Sequence, residues 1–216
     1  MLKKHNLDKY KWYVALHVRE SKISDDQSFR NVNPKNYLKS VKKIISKGGL
    51  VFRIGNKSMT PLPKLEGLID YPFSKLNSEF MDIFLAATSK FVIGTSSGFW
   101  TAASFFKTPI LITNYLPFMD YYSFNHNSIF LPKTVLNEKN QIISIGESYS
   151  IKKIGYTHTS KQFLSKKLKV LENTEDEILV SVDEMLNLVS GNNKEKKDFI
   201  HLNKKFKNIF FKNNFY

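Results

Sequence analysis

Three short stretches of this 216-residue chain carry side chains suited to holding a charged ligand: His17-Val18-Arg19-Glu20, Arg53-Ile54-Gly55 and Gly94-Thr95-Ser96-Ser97-Gly98. Of 33 basic residues only Arg19, Arg30 and Arg53 are arginine. A guanidinium is a planar fork that grips phosphate or carboxylate bidentately, which lysine cannot imitate, so these positions inform more than the lysines around them. Alternation along a strand sets His17 and Arg19 on one face, from whose end both can reach a ligand. In the third stretch the glycines let main chain approach a ligand and the hydroxyls of Thr95, Ser96 and Ser97 donate. The helix after Gly98 offers unpaired N–H groups to an anion. A plainer account stands beside each: Ser96 or Ser97 as a helix cap, Arg19 in a surface ion pair with Glu20, and Arg53 bonded to loop carbonyls. Glu20, Asp25 and Asp26 are the carboxylates near enough in sequence to serve as a general base, and the spacing does not choose among them.

Positioning such groups requires strands that end on a common edge. The apolar run over 12–18 reads as a buried strand, 20–34 as a loop, 36–47 as an amphipathic helix stopped by Gly48-Gly49, and 50–54 as the next strand. That order, strand, loop, helix, strand, begins a parallel sheet. It continues with a strand over 67–71, a helix over 77–88, a strand over 91–94, a helix reaching 107 and a strand over 109–113. Short strands are expected at 129–131 and 141–145. The spacing of Thr174 and Glu177 is a capping box, so the acids at 175–177 open a helix over 175–188 and do not form a metal site. The fold class is therefore α/β, a Rossmann-like parallel sheet with flanking helices. In such a sheet ligands bind outside the carboxyl ends of the strands, where all three stretches fall.

Several classes are excluded or disfavoured. There is no G-x-G-x-x-G after a strand and no G-x-x-x-x-G-K-[ST], which argues against a dinucleotide oxidoreductase or a P-loop ATPase. No Asp-x-Asp follows a strand, so a sugar diphosphate would be met by arginine, hydroxyls and a helix end, with no metal and no separate cofactor. The absence of cysteine removes disulfides and thiolate chemistry. No apolar run of membrane-spanning length and no secretion signal is seen, so the expected location is the cytoplasm.

With these residues in place, the chain resembles a bacterial family of glycosyltransferases of surface-polysaccharide gene clusters, itself similar to fucosyltransferases with a His-x-Arg motif. WYVALHVRE, FRNVNPKNYLKSVKKIISKGGLVFRIGNKSMTPLP, LIDYPFSKLNSEFMDIFLAATSKFVIGTSSG and PILITNYLP carry the likeness, over about 12–118. The resemblance implies the donor-binding, carboxy-terminal half of a GT-B enzyme and a metal-independent, inverting transfer from a nucleotide-sugar, GDP-linked by preference and with fucose as the sugar of the wider likeness. Residues 1–190 are then expected to form the nucleotide-sugar-binding domain and 191–216 a basic amphipathic helix. The likeness further implies Arg19 on the donor β-phosphate with His17 beside it, Ser96 and Ser97 at the phosphate-binding helix start, and Arg53 and Asp82 shaping the nucleotide pocket. For Asp82 an ordinary charge on an amphipathic helix is the plainer account. A glycan or lipid-linked acceptor completes the reaction. Because the His-x-Arg strand opens the chain, the expectation is either a truncated or split transferase or another, separate subunit that supplies the acceptor domain.

A net charge of +14 suits a phosphorylated ligand, nucleic acid or an anionic membrane alike. The rival to an enzyme is thus a basic binding module for nucleic acid or an acidic membrane surface. It rests on the tail, where Phe199, Leu202, Phe206, Ile209 and Phe210 form a stripe among lysines. That helix would give a peripheral contact at the inner membrane; packing of the stripe on the domain is the favoured alternative. The transferase reading predicts no nucleic-acid partner.

Overall fold

The computed structural model describes residues 9–21, 26–116, 128–144, 147 and 159–191, with 197, 200–202, 204, 205 and 208 in the tail. Six strands, β1 (Trp12–His17), β2 (Gly49–Ile54), β3 (Leu68–Asp70), β4 (Phe91–Gly94), β5 (Ile110–Tyr115) and β6 (Ser128–Pro132), form one sheet in the order β3-β2-β1-β4-β5-β6. Every pairing in it is parallel. The central strands are near-continuous apolar runs because both faces are covered; β2, β4 and β5 are buried along their whole length.

One face carries α1 (Leu38–Ser46) and the long carboxy-terminal helix; the other carries α2 (Glu79–Thr88) and α3 (Phe99–Phe105). Strand alternation divides the core accordingly. Val14, Leu16, Val51 and Ile93 meet Val41, Ile44, Ile178 and Val182 on the first face. Ala15, Phe52, Val92 and Ile112 meet Leu85, Ala86, Trp100 and Ala103 on the second. Local chemistry sets the helix limits. Asn33 caps a 3-10 turn at Pro34–Tyr37 that leads into α1, and Gly48 then takes a φ of 82°, open to a residue without Cβ. Ser78 accepts from the Met81 N–H at the start of α2.

The remaining elements are α4 (Ser160–Ser165), a two-stranded antiparallel ribbon of β7 (Thr134–Leu136) and β8 (Lys169–Leu171), and α5 (Glu175–Ser190). In α5 the Thr174–Glu177 capping box is present as the spacing predicts, and Gly191 closes the helix in the left-handed region. β7, β8 and α4 are not legible in the sequence, because three-residue strands and a six-residue helix are too short to display a period. A strand expected over 141–145 is not one in its described part. Ile142 makes a single bridge to Leu136, while the Asn137 side chain accepts from the Lys139 and Gln141 N–H groups and folds the segment into a turn. The strand expected over 67–71 stops at Asp70, because Tyr71-Pro72-Phe73 turns into a 3-10 helix. In the tail the described residues are helical and exposed, Leu202 at 58%; Phe199, Phe206, Ile209 and Phe210 lie outside the described residues. Among the described residues no helix is long and apolar enough to cross a membrane.

Candidate functional site

From β1 the chain builds the sheet outward in one direction through β2 and β3, and in the other through β4, β5 and β6. The connections leave β1 and β4 on opposite sides, and a sheet of this kind binds ligands outside the carboxyl ends of such a strand pair. His17-Val18-Arg19 and Gly94–Gly98 occupy those two ends. They are in contact: the Arg19 N–H donates to Thr95 Oγ1 at 2.8 Å, and Ser97 Oγ lies 2.9 Å from His17 Nδ1. The His17 ring stacks on Phe99, with centroids 5.6 Å apart. Burial, with the positive charges of Arg53 and Arg19 adding to it, pulls the His17 pKa down to about 4. The imidazole is therefore neutral at pH 7, with one ring nitrogen a donor and the other an acceptor.

The hydroxyls of the turn divide by role. Thr95 is buried and its oxygen is taken by Arg19. Ser96 Oγ accepts the Leu116 N–H at 2.8 Å and lies 3.4 Å from the Asn114 carbonyl, tying the turn to the end of β5. Ser97 is half-buried and Gly98 exposed, so the turn meets solvent through these two residues. Gly98 has an ordinary φ of −75° and open space where a Cβ would stand.

Arg53 and Glu20 are arranged differently from a pair of ligand groups. The Arg53 side chain is fully buried, with Nη1 3.0 Å from Asp70 Oδ1 and Nη2 3.6 Å from Glu20 Oε2. Glu20 accepts from the Thr60 N–H at 3.0 Å and from the Thr60 hydroxyl. Asp70 Oδ2 accepts from the Leu62 N–H at 2.8 Å. One buried cation and two carboxylates thus bind the end of β1, β2, β3 and the following loop to one another. Gly55 belongs to the same loop: a Cβ there would stand 2.1 Å from Met59 Sδ, so its smallness serves packing. Asp82 sits in the first turn of α2 near Tyr71; burial raises its pKa, against a hydrogen bond to Tyr71. Asp26 is exposed and its main-chain carbonyl accepts from the Ser160 N–H. Asp25 lies outside the described residues.

Three further groups bear on this edge. Arg30, marked in the sequence only as one of three arginines, donates from both Nε and Nη2 to the Ser96 carbonyl. Lys133 is buried and donates to the carbonyls of Phe29 and Asn31; burial lowers its pKa to about 8. Asn114, at a φ of 52°, exchanges hydrogen bonds with Asn173, its N–H to Asn173 Oδ1 and its Oδ1 from the Asn173 N–H. Its side-chain amide also donates to Tyr37 Oη at 3.1 Å. Scarcity of arginine is a signal for Arg30. Lys133 and Asn114 carry none in a chain so rich in lysine and asparagine.

No family model and no curated protein matches the chain. Among solved structures it is similar to one described as "the Glycotransferase of kitacinnamycin", at 9% identity and a TM-score of 0.42, over 94% of this chain and 44% of that one. The chain thus spans less than half the length of that structure.

Proposed function

We propose that this chain is the donor-binding part of a glycosyltransferase and holds the diphosphate of a nucleotide-sugar in the crevice between β1 and β4. The observation that carries the reading is that the ends of β1 and β4 meet where the strand order reverses, the Arg19 main-chain N–H bonding Thr95 Oγ1 and Ser97 Oγ lying against His17 Nδ1. The Arg19 charge, near enough to lower the His17 pKa, then stands with a solvent-facing turn and a neutral imidazole, a suitable set for an anionic leaving group that gains charge as the sugar departs. Arg19 stabilises that charge, and removing a donor of this kind costs about 10²- to 10³-fold in rate. His17 and Ser97 flank it. Thr95, Ser96 and Gly98 shape the turn, while Glu20, Arg53 and Gly55 hold the neighbouring loop. The acceptor proton falls to one of Glu20, Asp25 and Asp26; of these Glu20 is already engaged by Arg53 and Thr60, while Asp26 is exposed.

The finer terms follow from the sequence resemblance: a GDP-linked donor with fucose as the sugar, inversion without a metal, and a glycan or lipid-linked acceptor of surface polysaccharide. The test is thermal unfolding of the whole chain with GDP-, UDP-, CMP- and dTDP-linked sugars. A ligand at a hundred times its Kd adds about 2.7 kcal/mol to stability. One base should stand out, and Arg19→Lys should lose most of that gain. No shift with any donor at millimolar concentration would end the reading.

A second reading has one observation in its favour, the exposure of Ile200 and Leu202 among Lys197, Lys204 and Lys205. Such a segment suits an anionic membrane surface. Sedimentation with vesicles containing phosphatidylserine, at low and high salt, separates it from nucleotide binding.

A further inference from the structure

The strap of residues 26–33 lies across the carboxyl edge of the sheet and is fastened from several sides. Lys133 Nζ donates to the carbonyls of Phe29 at 2.9 Å and Asn31 at 2.8 Å, the two residues that flank Arg30. The Val32 N–H donates to the Arg19 carbonyl at 3.0 Å. The Asn31 side chain closes a reciprocal pair with the Ser21 main chain, at 3.2 and 3.1 Å. What the strap delivers is a guanidinium fork: Arg30 Nε at 2.8 Å and Nη2 both on the Ser96 carbonyl oxygen.

Two consequences follow from peptide chemistry. The bond between Ser96 and Ser97 is planar and trans, so its C=O and N–H point in opposite directions. Fixing the Ser96 carbonyl on Arg30 therefore turns the Ser97 N–H away from the strap, and among the described residues that N–H has no hydrogen-bond partner. A cation donating to a carbonyl also polarises the peptide, and hydrogen bonds in such a chain strengthen one another by roughly 10–30%. A turn held by one neutral donor would have neither property to the same degree.

We propose that Arg30 is a positioning residue for the donor site: it orients and polarises the 96–97 peptide so that the Ser97 N–H is presented to a phosphate oxygen. This rests on the nucleotide-sugar reading of the β1/β4 crevice. Arg30 does not touch the ligand in this role; it acts through the peptide, and Lys133 acts through Arg30 by holding both of its neighbours.

The experiment uses the full chain labelled with ¹⁵N, GDP as probe, and the variants Arg30→Lys and Arg30→Met. In the native chain, saturation with GDP should move the Ser97 amide proton downfield. Arg30→Met should keep its circular dichroism, weaken GDP binding at least tenfold and leave the Ser97 amide unmoved. Arg30→Lys, with one donor for the carbonyl, should fall between. If Arg30→Met does not fold, Arg30→Lys carries the test, since it must still weaken binding and reduce the Ser97 shift. GDP binding within twofold of native in the folded variant would overturn the proposal, as would weaker binding with the Ser97 shift intact. Failure of the native chain itself to bind GDP or any of the other nucleotides would overturn the site reading, and this inference with it.

Discussion

His17 gives the most direct handle on the crevice, because its pKa converts into a stability that depends on pH. Free in the unfolded chain it titrates at its ordinary 6.5; folded, it titrates at about 4. Between these values the unfolded chain binds the extra proton, so stability falls as pH falls from 6.5 towards 4 and is unaffected by this group above that window. At pH 4.5 the accumulated loss is about 2.5 kcal/mol, since every tenfold difference in proton affinity between the two states is worth ~1.36 kcal/mol. His17→Asn keeps an acceptor near the place of Nδ1 for the Ser97 hydroxyl and removes the titration. Urea unfolding of both proteins at pH 7.5 and pH 4.5 provides the measurement. Carboxylates titrate alike in the two and cancel in the difference, so the variant should lose about 2 to 3 kcal/mol less than the native chain on acidification. Equal losses, within about 0.5 kcal/mol, the agreement expected of independent sites, would refute the picture of a buried neutral imidazole pressed by two guanidinium groups.

Lys133 predicts a trend of the same sign in a separate, alkaline window. Its pKa falls from 10.5 to about 8 on folding, so the unfolded chain binds more protons between these values and stability rises with pH. From pH 7.5 to 9.5 the native chain should gain about 2 kcal/mol on Lys133→Met, measured as the difference between two urea titrations. In the ion triad, Asp70→Asn leaves the buried Arg53 charge short of a partner and should cost about 3 kcal/mol, read in the same way. Gly49→Ala would place a Cβ 2.5 Å from the Trp12 ring and 2.9 Å from Ile44 Cγ2, so the ring must shift. A loss of about 1 to 3 kcal/mol and altered tryptophan fluorescence are expected.

The sheet is legible because β1, β2 and β5 are six-residue, mostly apolar runs, and the short β3 and β4 are bracketed by turn residues and a capped helix. His17, Arg19 and the turn at 94–98 were placed on one edge by that topology alone, and they meet there. What the sequence could not say is which way a polar side chain faces at the end of a strand. Arg53 and Arg19 look alike along the chain. Asp70 pairs with Arg53 in register on the neighbouring strand, so the guanidinium finds a carboxylate inside the sheet. Arg30 shows the converse difficulty. It sits in an aperiodic loop, and only the fold brings it to a carbonyl 66 positions away. The ribbon of β7 and β8 is similar, since its two strands are joined by pairing alone and each is too short to show alternation.

The strand order also bears on how the molecule assembles. β1 takes its first neighbour, β2, from nearby in the chain, but its second, β4, only after β3 and α2 have also been made. Until then the β1 edge, with Val14, Ala15 and Leu16, stands open as a template for another chain. The junction between the ends of β1 and β4 is therefore absent from any intermediate that contains the first three strands alone. Truncations ending before Phe91 should self-associate, and the act that seals this edge is the same one that brings His17 to Ser97.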